Sequence, residues 1–188
     1  MKIGLFFGSF NPIHIGHLIL AEFIHHHTEL QEIWFVVSPQ NPFKKSASLL
    51  AERQRLYMVQ EAISECAFFK AIDIEFSLPK PNYTIVTLGH LKEKYPNHEF
   101  SLIMGADNRN NLHKWRSGDF IAENFRIFVY PRLGSNLIET NTNTFWVNAP
   151  IIELSSSGIR HDIANGRNPR FMLHYKTWQY IEHNGFYK

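Results

Sequence analysis

Apolar residues in this chain come in short unbroken runs separated by amphipathic stretches. Ile3–Phe7 and Ile33–Val37 are apolar at nearly every position, as parallel strands covered by helices on both faces require. Ile72, Ile74 and Phe76 alternate and predict a third strand. Leu102–Met104, Ile127–Tyr130 and Phe145–Val147 predict a fourth, fifth and sixth. Helical periodicity fills the gaps. One helix starts near His14–His17 and runs through Leu18, Ala21 and Ile24 to His25-His26-His27. A second is capped by Ser48 and turns Leu49, Leu56, Val59 and Ile63 to one side. Thr84 to Tyr95 carries Ile85, Leu88 and Leu91 on one stripe, and Gly118 to Asn124 is a short helix. Ser155-Ser156-Ser157 opens another that Gly166 closes, and a last one has Asn168 as cap, Pro169 at its first position and Gly185 at its end. Ser38 to Ser48 and Leu133 to Thr144 read as loops. With no repeat and no linker, residues 1–188 are expected to form one α/β domain around a doubly wound parallel sheet. Ligands of such sheets bind outside the C-terminal ends of the strands.

Composition narrows the function classes. A net charge of +2 over 188 residues gives no field that favours nucleic acid or an anionic membrane. The lone Cys66 excludes an internal disulfide and a cysteine-built zinc site, and a core or half-buried thiol is its expected role. The apolar run after Lys2 is interrupted by Gly4 and broken by Gly8, Asn11 and Pro12, unlike a secretory leader. No segment approaches a membrane span. A cytoplasmic location is the expectation.

Candidate chemistry sits at the predicted strand ends. Gly8-Ser9-Phe10-Asn11-Pro12-Ile13-His14-Ile15-Gly16-His17 follows a strand and precedes a helix. Gly8 permits a tight turn or close approach to a ligand. The helix start offers free N–H groups and a partial positive charge for phosphate. His14 and His17 share one face there and can donate hydrogen bonds to oxygens that gain charge in a transition state. Gly16 leaves room for a flat group. For an isolated pair, two partly exposed histidines would be the plainer reading; the order strand, glycine turn, His-x-Gly-His, helix favours a site. Zinc is weakly supported, because no carboxylate or cysteine ligand stands nearby. Ser155-Ser156-Ser157-Gly158-Ile159-Arg160 places hydroxyls and an arginine in the first turns of a helix, a phosphate clamp when paired with the first motif.

The first motif resembles the signature of the nucleotidyltransferases that carry His-x-Gly-His, and more closely that of bacterial nicotinate-mononucleotide adenylyltransferases. The segment from Leu154 to Arg160 is similar to their Ile-Ser-Ser-Thr-x-Ile-Arg pattern, with Leu154 and Ser157 as mild departures. The resemblance implies a Rossmann-like nucleotidyltransferase fold with His14, His17 and Arg160 as catalytic groups. It implies ATP contacts from Gly8, Ser9, Phe10, Gly16, Gly105, Asp107, Ser156 and Ile159, with Lys44 from the loop after the second strand. In that loop Pro42-Phe43-Lys44 stands where the family often has Pro-His-Lys, so a histidine phosphate donor is missing. Thr84 in Asn82-Tyr83-Thr84, Trp115 and Arg132 match positions that meet the mononucleotide. For Thr84 a helix cap, for Trp115 a core position and for Arg132 a solvated surface are the plain alternatives. The His25-His26-His27 run belongs to no family pattern.

The implied reaction moves AMP from ATP to nicotinate mononucleotide, with nicotinamide mononucleotide as the other pyridine acceptor. Magnesium is expected on the ATP phosphates, with no metal site built by the protein. Small-molecule substrates are the only partners expected, and oligomeric state is left open. A pantetheine-phosphate adenylyltransferase is the nearest rival, opposed by His14 where that group usually has Thr. A non-catalytic nucleotide-binding regulator of the same fold is the rival of another class.

Overall fold

The computed structural model describes residues 1–39, 49–136 and 142–188. Six strands form one sheet: β1 (Lys2–Gly8), β2 (Glu32–Val37), β3 (Phe69–Ile72), β4 (Glu99–Gly105), β5 (Ile127–Tyr130) and β6 (Thr144–Trp146). Their order is β3-β2-β1-β4-β5-β6 and every pairing is parallel. The chain moves outward from β1 to β3, then returns to the other side of β1 to lay down β4. The crevice at that reversal, between the ends of β1 and β4, is where ligands bind in doubly wound sheets.

The helices are α1 (Ile15–His26), α2 (Glu52–Ile63), α3 (Thr84–Lys94), α4 (Ala106–Asn110), α5 (Gly118–Asn124), α6 (Ser156–Ala164) and α7 (Tyr175–Asn184). Successive strand residues point to opposite sides, and the core is accordingly split in two. Phe6, Ile33, Phe35 and Val37 pack with α1, α2, α6 and α7. Ile3, Leu5, Trp34 and Val36 pack with α3, α4 and α5. No helix among the described residues is long and apolar enough to cross a membrane.

The doubly wound parallel sheet is as expected, but four elements differ. The alternation at Ile72, Ile74 and Phe76 does not extend the third strand: β3 ends at Ile72, and Ile74–Ser77 winds into a 3-10 turn. Its last partner is Val36, near the end of β2. Buried Glu75 is then held by the Asn82 and Thr87 side chains. Helix α2 starts one turn later than its apolar pattern suggests, with Ala51 at the N-cap and Leu49 ahead of it; Ser48 lies outside the described residues. The Asn168-Pro169 signal caps only a 3-10 turn, Arg170–Met172, where Asn168 Oδ1 accepts from the Arg170 N–H at 3.1 Å. Leu173 then plunges into the core in extended conformation, and α7 begins at Tyr175. The sixth strand lies one residue earlier than expected. Val147 still donates its N–H to the Val129 carbonyl at 2.8 Å.

Candidate active site

The loop between β1 and α1 forms the floor of a cleft at the β1/β4 reversal. Phe6, Phe7, Gly8, Ser9, Phe10, Asn11, His14, Gly16 and His17 line one side, Asn108, Tyr130 and Arg132 the second, and Ile152, Leu154, Ser155, Ser156, Ser157 and Arg160 the third. The sheet thus brings the two strongest sequence motifs together although about 140 residues separate them.

The two glycines of the first motif serve packing inside the protein. A Cβ on Gly8 would lie 2.7 Å from the Phe10 ring, so Gly8 makes space for that ring while itself lining the cleft. Phe10 sits at φ 45°, a left-handed conformation that costs energy for a large side chain. Its ring is buried edge-on against Phe6, Phe35 and His17, which holds it there. A Cβ on Gly16 would lie 3.1 Å from His14 Nδ1, so the flat group fitted over Gly16 is the His14 imidazole itself.

His14 caps α1 and His17 lies in its first turn, so their rings stack at 3.7 Å between centroids. His14 is buried, contrary to the plain reading of exposed histidines. His17 Nδ1 accepts from the His14 backbone N–H at 3.2 Å. In a neutral imidazole the hydrogen then sits on Nε2, which is a donor. Burial, with Arg132 nearby, lowers His14 to about 4. Burial, then His14 and Arg132, holds His17 well below the usual range. Both rings are therefore neutral donors at pH 7 before any phosphate arrives.

This has a measurable consequence for folding. Folded His14 stays neutral down to about pH 4, whereas its unfolded imidazole takes a proton near 6.5. Across that window the unfolded chain binds more protons, so stability falls as pH drops, by up to about 3 kcal/mol for His14 alone. Denaturant melts at pH 7 and pH 4.5 should show a smaller loss in His14→Gln than in wild type. Equal losses would contradict neutral burial of His14.

The third wall is the N-terminus of α6. Ser155 caps it by accepting from the Gly158 N–H at 3.0 Å. The Ser156 hydroxyl donates to the Pro12 carbonyl at 2.8 Å and staples α6 to the first motif. Arg160 donates to the Asn11 carbonyl at 2.7 Å and to Ser157 Oγ at 3.2 Å. It is half-buried, not solvated. Ile159 is buried in the core, and its N–H already donates to the Ser155 carbonyl at 3.1 Å.

Arg132 follows β5 and lies 3.6 Å from Asp107, which follows β4. Gly105 permits the pair, because a Cβ there would lie 2.5 Å from Asp107 Oδ1. Thr84 and Trp115 do not line the cleft. They belong to two segments joined by Arg116, whose guanidinium lies 4.8 Å from the Tyr83 ring centre. Thr84 is not the helix cap, since Tyr83 holds that position in α3. Trp115 is half-buried, packed in part on the second core cluster. Lys44 lies outside the described residues.

Sequence reasoning missed Arg55, Glu75 and Tyr187. Arg55 is fully buried, and its guanidinium donates to the carbonyls of Ser9, Ser38, Pro39 and Leu50. A signal existed: Arg55 falls on the buried stripe of α2 with Met58, Val59 and Ala62, where a charge needs a reason. The Tyr187 hydroxyl donates to Asn11 Oδ1 at 2.7 Å, and no local pattern announces that contact.

The reversal of the parallel sheet brings a stacked histidine pair, a capped helix start and an arginine to one cleft. Over residues 5–162 the sequence matches the cytidylyltransferase-like family, and the chain belongs to it. It is 51% identical to a probable nicotinate-nucleotide adenylyltransferase of Flavobacterium johnsoniae, with all of both chains covered. It is 43% identical to another from Bacteroides fragilis, covering 96% of this chain and 90% of the relative. The fold matches Plasmodium falciparum nicotinic acid mononucleotide adenylyltransferase complexed with NaAD at a TM-score of 0.84 and 22% identity, covering 99% of this chain and 97% of that one.

Proposed function

We propose that this chain is a nicotinate-nucleotide adenylyltransferase that joins ATP and nicotinate mononucleotide to give the deamido dinucleotide and pyrophosphate in NAD biosynthesis. The observation that carries this reading is the stacked His14–His17 pair opposite the α6 start and Arg160; the full-length relatives supply the acceptor. The mononucleotide phosphate is anionic at neutral pH and needs no general base. One of its oxygens attacks the α-phosphorus of ATP as the bond to the pyrophosphate oxygen breaks. The protein's contribution is placement and charge stabilisation. His14 and His17 donate to the α-phosphate oxygens. Arg160 and the N–H groups at the start of α6 receive the β and γ phosphates.

Among the described residues no group of three or more His, Cys, Asp or Glu side chains converges. Magnesium enters as part of the ATP substrate, on its phosphate oxygens. Pyrophosphate release from ATP with nicotinate mononucleotide, nicotinamide mononucleotide and phosphopantetheine tests the reading. Release with the first is expected. Release only with phosphopantetheine, or with no acceptor, would overturn it in favour of the sister enzyme or a binding-only regulator.

The half-buried Trp115 and the α3 start are the proposed mononucleotide side. A flat, electron-poor pyridine ring stacks well on an indole. Trp115→Ala should raise KM for the mononucleotide by a factor equivalent to about 1–3 kcal/mol and leave KM for ATP nearly unchanged. A lower melting temperature with an unaltered mononucleotide KM would assign Trp115 to the core alone.

A further inference from the structure

Segments from three parts of the chain close on Asn11, in the cleft floor between β1 and α1. The Tyr187 hydroxyl donates to Asn11 Oδ1 at 2.7 Å. The Leu50 N–H, just ahead of α2, donates to the same oxygen at 3.3 Å. Arg160 of α6 donates to the Asn11 carbonyl at 2.7 Å. A backbone N–H can only donate, so the Asn11 amide turns its oxygen toward Leu50 and Tyr187. Asn11 is 2% exposed and lines the cleft. The bond to Tyr187 spans 176 residues and forms against backbone strain. Tyr187 sits at φ 67°, a left-handed conformation unfavourable for a large side chain. Gly185 ends α7 at φ 64°, and the Phe186 N–H returns to the Ile181 carbonyl at 3.1 Å. That reversal lays the Tyr187 ring against the first core cluster and brings its hydroxyl to Asn11. Burying the ring alone would require neither the hydroxyl nor the strain, since phenylalanine packs in the same space with no polar group to satisfy. Phe10, the residue before Asn11, is left-handed too, at φ 45°. Strain therefore collects on both sides of this one contact.

We infer that Tyr187 is a positioning residue for adenylyl transfer, its hydroxyl fixing the loop that carries His14 through the Asn11 side chain. This role presupposes the proposed reading, in which His14 and His17 donate to the α-phosphate. Only Pro12 and Ile13 separate Asn11 from His14, so the place of Asn11 sets where the α1 N-cap begins. Arg160 holds the Asn11 backbone, while Tyr187 and Leu50 hold its side chain. Loss of the hydroxyl leaves every phosphate donor present but lets the loop shift slightly. Such a shift costs rate through geometry more than through affinity. The expected signature is a fall in kcat without a matching change in either KM.

Tyr187→Phe keeps the ring and removes the hydroxyl. It should lower kcat about tenfold, with KM for ATP and for nicotinate mononucleotide within about twofold of wild type. In an Asn11→Ala background the same substitution should have no further effect on kcat, because the partner is already gone. Ile181→Val thins the buried side of α7 and leaves the hydroxyl bond in place. It should lower the melting temperature yet keep kcat within about twofold of wild type. Hydrogen exchange gives a readout that needs no turnover: in Tyr187→Phe, amides of residues 10–17 should exchange faster while those of residues 177–183 keep the wild-type rate. A wild-type kcat in Tyr187→Phe, an equal kcat loss in Ile181→Val, an additive loss on Asn11→Ala, or faster exchange confined to α7 would each overturn the inference. Should Asn11→Ala fail to fold, Tyr187→Phe, Ile181→Val and the exchange data still decide. If wild type released no pyrophosphate with nicotinate mononucleotide, the acceptor assignment would fall, and exchange at residues 10–17 would still report whether the hydroxyl holds the loop.

Discussion

His17→Ala should lower kcat by roughly a hundredfold or more, the loss seen when one preorganised donor to a developing oxyanion is removed. The structure gives the reason at atomic level. His17 Nδ1 is occupied by the His14 backbone N–H at 3.2 Å, so the neutral ring is left with Nε2 as its donor. Its orientation is held by stacking on His14 and by the edge contact with Phe10, centroids 5.1 Å apart. A donor held this way spends nothing on reorganisation as charge builds on the α-phosphate, so the effect belongs to the transition state and KM for ATP should move far less. Steady-state kinetics with both substrates, beside a melting curve, is the measurement. A kcat equal to wild type would remove His17 from the chemistry.

Arg160→Ala should damage kcat/KM for ATP severely, and Arg160→Lys should already be impaired. A planar guanidinium holds two oxygens at once, which an ammonium does not reproduce. In the structure Arg160 also donates to the Asn11 carbonyl at 2.7 Å. It therefore ties α6 to the loop that carries His14, and its loss loosens the cleft floor as well as the clamp. Read as a solvated helix arginine, it would leave stability nearly unchanged on substitution. With that hydrogen bond and half-burial, a cost of about 1.5–3 kcal/mol is expected for alanine. Excess magnesium should restore activity only in part, because it supplies charge without the fork geometry. Both variants should keep the wild-type KM for the mononucleotide. Wild-type ATP kinetics in both would refute the clamp.

Local physics wrote much of this protein into its sequence. Unbroken apolar runs such as Ile33–Val37 mean strands covered on both faces, and covered strands mean a parallel sheet with helices on each side. The short helix Gly118–Asn124 and strand Ile127–Tyr130 were legible to the residue, because their signals lie within a few positions. The pairing of His14 with His17 was legible for the same reason, since residues three apart at a helix start must share a face. What long-range contact decides was not legible. The alternation at Ile72, Ile74 and Phe76 promises a longer strand, yet a strand lasts only as long as its neighbour, and β2 ends at Val37. The packing reason for Gly8 appears only when the Phe10 ring is seen in the space a Cβ would take. Arg55 and Glu75 carry charges whose partners lie on segments distant in sequence, so no local window explains their burial. The sequence alone determined the fold class and the two motifs that meet in the cleft. Only the tertiary structure decided that Ser156 and Arg160 close on the carbonyls of Pro12 and Asn11, because a hydrogen bond across about 140 residues exists only once the sheet has brought both strand ends to one edge.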